Sequence, residues 1–453
     1  MNRFFYRQLH LWKDNKDRKP LILRGARQVG KTWILREFGS TDFPRVHYIN
    51  FEEQSRLCSI FDKDLRPERI LQELGFALST RIDPRTDLLV FDEIQECPKA
   101  LISLKYFAES LPALALCAAG SLLGVQLSVA PFPVGKVDIL TLHPLSFEEF
   151  LEGIGDGESI DFLRSYEPLM PIPSIVHVHL WEQLLRYFVV GGLPEAVNVY
   201  REAKDDLFGA FQRIRQVQRN LVVAYMADMA KHSGRQNSMH LERIWRNVPA
   251  QLARTHDGSS PKFRFKDVVP GISGYDRLSG PLDWLLAARL LIRVSIVNSG
   301  LLPFSAYAKE NFFKLYLFDI GILGALSDLS ARTILEYSFQ SYKGFFAENF
   351  VAQELTATGV ESQFCWRENT AEVEFLLERD GAAMPVEVKS GWVTQSKSLG
   401  EFARKYGPPS RTILSANNAS VDRKNRICRI PLYLASRLPL LDTLAGLSPK
   451  ALQ

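Results

Sequence analysis

Residues 25–32 read Gly-Ala-Arg-Gln-Val-Gly-Lys-Thr, and the reading of this octapeptide decides the fold of the first third of the chain. It satisfies G-x-x-x-x-G-K-[ST] at every specified position, the pattern of a phosphate-binding loop. The apolar run Leu21-Ile22-Leu23 precedes it as a buried strand would, and Trp33-Ile34-Leu35-Arg36-Glu37-Phe38 follows with helical patterning. Gly25 and Gly30 let the backbone curl so that successive amides point inward, and the helix beginning near Lys31 adds its positive end. The expected nucleotide-binding set is Gly25, Ala26, Arg27, Gln28, Val29, Gly30, Lys31, Thr32 and Trp33. Lys31 is expected to reach the β- and γ-phosphates as a point charge and the Thr32 hydroxyl to ligate Mg²⁺, which makes ATP and Mg²⁺ the expected cofactors.

Some sixty residues further on, Leu88-Leu89-Val90-Phe91 is a continuous apolar run that ends in Asp92-Glu93. A buried central strand delivers carboxylates to the carboxyl edge of a sheet in this way. Asp92 is expected to hold Mg²⁺ through its water shell, and Glu93 to orient and deprotonate the water that attacks the γ-phosphate. A third apolar run, Leu114 to Ala118, leads into Ala119-Gly120-Ser121, and Ser121 is the expected sensor of the γ-phosphate. Val46 to Phe51 and Val137 to Leu142 complete a parallel sheet with helices on both faces, an α/β core.

These motifs, with AAGSLLG at 118–124, PVGKVDILTLHPLSFEEFL at 133–151 and GGLPEAV at 191–197, resemble bacterial AAA-type ATP-binding proteins. In that family an N-terminal ATPase domain is paired with a C-terminal domain of unknown function resembling PD-(D/E)XK restriction endonucleases. KLYLFDIGIL at 314–323, GFFAENFVAQEL at 344–355 and AEVEFLLERDGAAMPVEVKSG at 371–391 carry the C-terminal part of the match. The resemblance implies a P-loop ATPase core over 1–150, a helical lid over 151–230, a winged-helix module over 231–325 and a restriction-endonuclease-like α/β domain over 326–453. It also implies that Pro194 touches the adenine. The residues alone allow another reading of GGLPEAV, a plain helix start with Glu195 favoured at the positive end. Ring-forming relatives usually carry an arginine finger after the Walker B strand, but no Arg occurs from Thr86 to Leu163. Arg27, Arg164 and Arg186 are open candidates for that role, and slow turnover is the alternative.

Between 231 and 300, helical patterning at Leu241 to Leu252 and Arg277 to Leu291 flanks a basic, strand-like element, Lys262-Phe263-Arg264-Phe265-Lys266. Lys262, Arg264, Lys266 and Arg277 are candidates to meet DNA phosphates; the alternative is a protein-contact module with solvated charges. In the last third, an amphipathic helix over Phe345 to Leu355 carries Glu348, a strand carries Glu374, and the next strand carries Glu387 and Lys389. The resemblance implies a second metal site on Glu374 and Glu387, completed by Glu348, with Lys389 stabilising developing charge. Where most such relatives read E-V-D-F, this chain reads E-V-E-F, and one added methylene displaces a carboxylate by roughly an ångström, a misplacement that metal catalysis feels.

The 453 residues, 46% of them hydrophobic, exceed what one core usually covers. The sequence shows no run of apolar residues long enough to span a bilayer, so a cytoplasmic protein without a membrane partner is expected. Five widely spaced cysteines suggest reduced thiols, and His177 and His179 are read as packing residues. A formal net charge of +4 is compatible with DNA binding without requiring it. Three functions remain open: an ATPase acting on DNA, a slow nucleotide-dependent switch that assembles with protein partners or its own copies, and an ATP-gated DNA endonuclease.

Overall fold

Leu88–Asp92 and Ala115–Gly120 are apolar almost throughout and every residue in them is buried, the pattern of strands covered on both faces. They are β3 and β4 of a five-stranded sheet that also contains β1 (Leu21–Arg24), β2 (Val46–Asn50) and β5 (Asp138–Thr141). The order is β2-β3-β4-β1-β5, and every pairing is parallel. The two edge strands, β2 and β5, carry most of the half-buried residues, with Arg24 at the end of β1. This is a computed structural model, and it describes residues 3–120, 132–167, 169–203, 206–256, 262–337, 342–392 and 395–443.

The chain divides into two compact units, Met1–His143 with Ala287–Arg289, and Pro144–Leu286 with Leu290–Gln453. In the first, one face of the sheet is covered by the helices Pro67–Ala77 and Pro98–Ser110, each with proline in its first turn, where the missing N–H costs nothing. Phe51, Phe61, Phe91 and Phe107 interlock there, with neighbouring ring centroids 5.4 to 6.3 Å apart. Such aromatic contacts stabilise beyond their buried area. The order of strands puts the ends of β1 and β3 on either side of the end of β4, so the phosphate loop and the acidic pair share one edge.

The second unit combines helices with an eight-stranded mixed sheet of order β12-β13-β11-β10-β9-β8-β6-β7. Its strands are β6 (Leu291–Val297), β7 (Ala308–Leu317), β8 (Gln363–Glu368), β9 (Ala371–Arg379), β10 (Ala382–Val388), β11 (Arg411–Ser415), β12 (Ser420–Asp422) and β13 (Ile427–Pro431). β8, β9 and β10 form an antiparallel meander, and β11 joins β10 in parallel after the helix Lys397–Tyr406. The hairpin β6–β7 extends the same sheet through parallel pairing of β6 with β8.

Two expectations need correction. The helix over 345–355, expected to be amphipathic, is part of Tyr342–Ala357 and is buried all round from Gly344 to Leu355, because strands and helices cover it on every side. The basic element at 262–266 is not a strand: Phe263 donates its N–H to the Phe313 carbonyl at 2.9 Å, but no ladder continues. Its side chains still alternate, with Phe263 and Phe265 buried and Arg264 and Lys266 exposed. The flanking helices are Arg235–His256 and Tyr275–Ala287.

Candidate nucleotide site and the C-terminal carboxylates

The phosphate loop is shaped by three unusual backbone positions. Gly30 has φ 97° and starts the helix Lys31–Asp42, and Gln28 also has a positive φ. At Gly25 the constraint is space: a Cβ there would lie 2.3 Å from the Leu142 carbonyl oxygen, at the end of β5. Lys31 is 7% exposed, and its Nζ lies inside the loop, donating to the carbonyls of Gly25 (3.0 Å) and Ala26 (2.8 Å). Trp33 is partly exposed beside it.

Across the sheet edge, Thr32 Oγ1 donates to Asp92 Oδ2 at 2.7 Å. This brings together the two oxygen donors expected at Mg²⁺, hard ligands of the kind that cation takes, so the residues present fit it. Tyr48, on β2, also donates its hydroxyl to Asp92 Oδ2, at 2.6 Å, and the Arg36 guanidinium lies 3.9 Å from the centre of its ring. Burial and the hydrogen bond to Asp92 hold the Tyr48 phenol well above its usual range. The sequence reading missed both residues, since neither belongs to a motif.

Glu93 follows at φ 47°, a left-handed conformation that a non-glycine residue adopts at a cost. The Gln95 amide donates to Glu93 Oε2. Burial raises the Glu93 carboxyl above the usual carboxylate range; the Gln95 hydrogen bond opposes this, the Asp92 charge adds to it, and Lys31 and Arg27 pull it back. Arg3, another residue without a motif, braces the loop from the N-terminus, with Nη1 on the Val29 carbonyl (3.2 Å) and Nη2 on the His143 carbonyl (2.7 Å). The His143 ring is pushed down to about 3 by burial and by the charges of Arg289, Arg3 and Arg24, so it is neutral. Ser121 lies outside the described residues.

Pro194 opens the helix Pro194–Glu202 in the second unit. The glycines before it have reasons of their own: the Gly192 N–H donates to Asp319 Oδ2 at 2.7 Å, and a Cβ on Gly192 would lie 2.2 Å from the Leu145 carbonyl oxygen. Arg164 pairs with Glu152 and Asp161. His177 bonds to Tyr433 and the Ala416 carbonyl, and His179 to Asp156. Lys262 reaches the Asn311 carbonyl, while Arg264, Lys266 and Arg277 are exposed.

In the second unit, Glu374 on β9 and Glu387 on β10 influence each other electrostatically, and Lys389 Nζ sits 2.6 Å from Glu387 Oε1. Glu374 Oε2 accepts the Val388 N–H at 3.1 Å. Glu387 is 2% exposed, and its Oε2 is buried without a hydrogen-bond partner, a polar atom oriented for something the protein does not supply. Glu348 lies nearby, but its Oε2 is engaged by Lys314 and Tyr316. Among the described residues, no three His, Cys, Asp or Glu side chains converge as a metal site. Nor does any described helix have the length and apolarity to cross a membrane.

Family models match three stretches: an AAA domain over 17–151, and domains of unknown function over 181–333 (DUF8612) and 343–435 (DUF4143). No curated protein matches the sequence. Similar solved structures include a RuvB mutant from Thermotoga maritima, 16% identical, covering 64% of this chain and 88% of that one with a TM-score of 0.31. A signal transduction ATPase with numerous domains and a tetratricopeptide repeat sensor, from Pyrococcus horikoshii, is 13% identical, with 77% and 45% covered and a TM-score of 0.26. Drosophila ORC bound to DNA is 14% identical, with 74% and 95% covered and a TM-score of 0.27. A phosphate loop, an acidic strand end beside it and a parallel sheet that joins them accompany the family match, and residues 17–151 are an AAA-type P-loop ATPase domain.

Proposed function

We propose that this protein is a Mg²⁺-dependent ATPase whose nucleotide state governs the segments that follow the ATPase domain, and that it works on DNA. The observation that carries the first half is the contact of Thr32 Oγ1 with Asp92 Oδ2, 2.7 Å long, beside a loop that already encloses the Lys31 ammonium. Mg²⁺, held by Thr32 and by Asp92 through water, would neutralise charge on the β- and γ-phosphate oxygens. The amides of residues 25–32 cradle the phosphates, and Lys31 shifts from the loop carbonyls to the β,γ oxygens. Glu93 takes the proton from the attacking water as the new bond to the γ-phosphorus forms; the bond from that phosphorus to the bridging oxygen breaks, and ADP leaves with the electron pair. Pro194 is assigned to the adenine and Ser121 to the γ-phosphate on the resemblance alone.

The DNA reading is supported by exposed Arg264, Lys266 and Arg277. The nuclease-like reading of 326–453 is supported by its element order: a helix, the three-stranded meander, a second helix, then a parallel strand beside β10. A second reading, a slow switch that signals to protein partners, is favoured by Glu93, whose carboxylate is held by Gln95 and made harder to ionise by burial. Steady-state ATP turnover with and without duplex DNA, with Glu93→Gln as the blank, separates the readings. Strong stimulation supports action on DNA; slow turnover indifferent to DNA supports the switch; phosphate release no faster than in protein-free buffer removes the ATPase reading.

A further inference from the structure

We propose that Lys314 is the resident cation of the carboxylate pocket in the second unit, and that Glu348 is thereby withdrawn from metal binding, leaving room for one divalent cation at most. The inference deepens the nuclease-like reading and rests on it for the word metal; the role of Lys314 as counter-ion stands on contacts alone. Lys314 lies on β7, in the hairpin added to the sheet, and is only 3% exposed. Its Nζ is 3.3 Å from Glu348 Oε2 and also pairs with Glu372 Oε1. Tyr316, two residues along the same strand, donates its hydroxyl to Glu348 Oε2 at 2.6 Å. Arg367 Nη1 takes the other oxygen of Glu372 at 2.5 Å.

An ammonium between two carboxylates occupies the place a divalent ion would need in order to use Glu348, and a cation brought there would meet it at close range in a poorly solvated pocket. Glu387 Oε2, buried without a hydrogen-bond partner, is an oxygen of this pocket that the protein leaves unpaired, whereas Glu348 Oε2 is held by both Lys314 and Tyr316. The chain therefore supplies internally the charge that a second metal ion would have brought.

The test is Mn²⁺ binding to the full chain without nucleotide, read by electron paramagnetic resonance, in an Asp92→Asn background that silences the phosphate-loop oxygens. Glu348→Gln should leave Mn²⁺ affinity within about twofold of that parent, and Glu387→Gln should weaken it more than about tenfold. The pair Lys314→Met with Glu372→Gln, which keeps the charge balance so that the chain folds, should add Mn²⁺ binding at Glu348. Weakening by Glu348→Gln equal to that by Glu387→Gln, or two ions bound by the parent, overturns the proposal. If the parent binds no Mn²⁺, the metal-dependent nuclease reading fails by itself; the double variant then decides the role of Lys314, and absence of any gain overturns it.

Discussion

Asp92 accepts three hydrogen bonds, from the Thr32 hydroxyl, the Tyr48 hydroxyl and the Glu93 N–H, so its orientation is set by residues from three separate segments. Held in this way, the carboxylate would present an ordered face to the proposed hydrated cation, whereas a loosely held one would have to be ordered at each cycle. Glu93 is different, because burial keeps its proton on to higher pH and Gln95 works in the opposite sense. Glu93→Gln should bind ATP yet hydrolyse it at least about a hundredfold more slowly, measured as phosphate release; unchanged turnover would assign the base elsewhere. Turnover should rise with pH as Glu93 ionises. Gln95→Ala removes a hydrogen bond that favours the charged carboxylate, so the acid limb of the kcat profile should move to higher pH. A shift to lower pH, or none, would show that Gln95 does not control this proton.

Elements are joined at a few crowded points, and the Gly191–Gly192 turn is the clearest. Asp319, fully buried, accepts the Gly192 and Ile322 N–H groups and so ties the end of the helix Ser174–Val190 to the helix Ile320–Leu326. Burial raises the Asp319 carboxyl to about 6, with the N–H groups of Gly192, Ile322 and Gly321 opposing the rise. Its native pKa lies above the unfolded one, so the stability this titration contributes is fully present below about 4 and is lost as pH climbs through about 6. Gly192→Ala pushes a methyl against the Leu145 carbonyl and should destabilise the second unit by about 1–3 kcal/mol in urea unfolding. Wild-type stability in that variant would show that the turn yields. At the 262–266 element, replacing Lys262, Arg264 and Lys266 together by Ala should weaken duplex DNA binding and flatten its dependence on salt. An unaltered salt slope would place the DNA contact elsewhere or remove it.

At the scale of the molecule, the phosphate loop and the acidic strand end lie in the first of two units with separate sheets, so nucleotide should act on the stability of that unit. ATP with Mg²⁺ at about a hundred times its Kd should stabilise the first unit by about 2.7 kcal/mol and raise its melting transition, and Lys31→Ala should abolish the shift. A shift of the same size in Lys31→Ala would move the nucleotide away from the phosphate loop. The division of legibility follows from how each feature is encoded. Residues 21–38 and 88–93 carry their geometry within a few consecutive positions, and so the strand–loop–helix unit, the acidic strand end and the parallel class of the first sheet could be read directly from them. Tyr48 reaches Asp92 from 44 residues away, Asp319 reaches Gly192 from 127, and Arg3 reaches His143 from 140. These side chains have no local signature, because they act only where the order of strands and the packing of buried helices bring them. The same reason hid Lys314: it stands first in KLYLFDIGIL with no local sign of a partner, and the sheet pairing brings it beside Glu348 and Glu372. The sequence by itself determined the phosphate loop and the acidic strand end beside it, and the tertiary structure decided which carboxylates are paired and which are not, since burial and charge pairing are properties of neighbours in space.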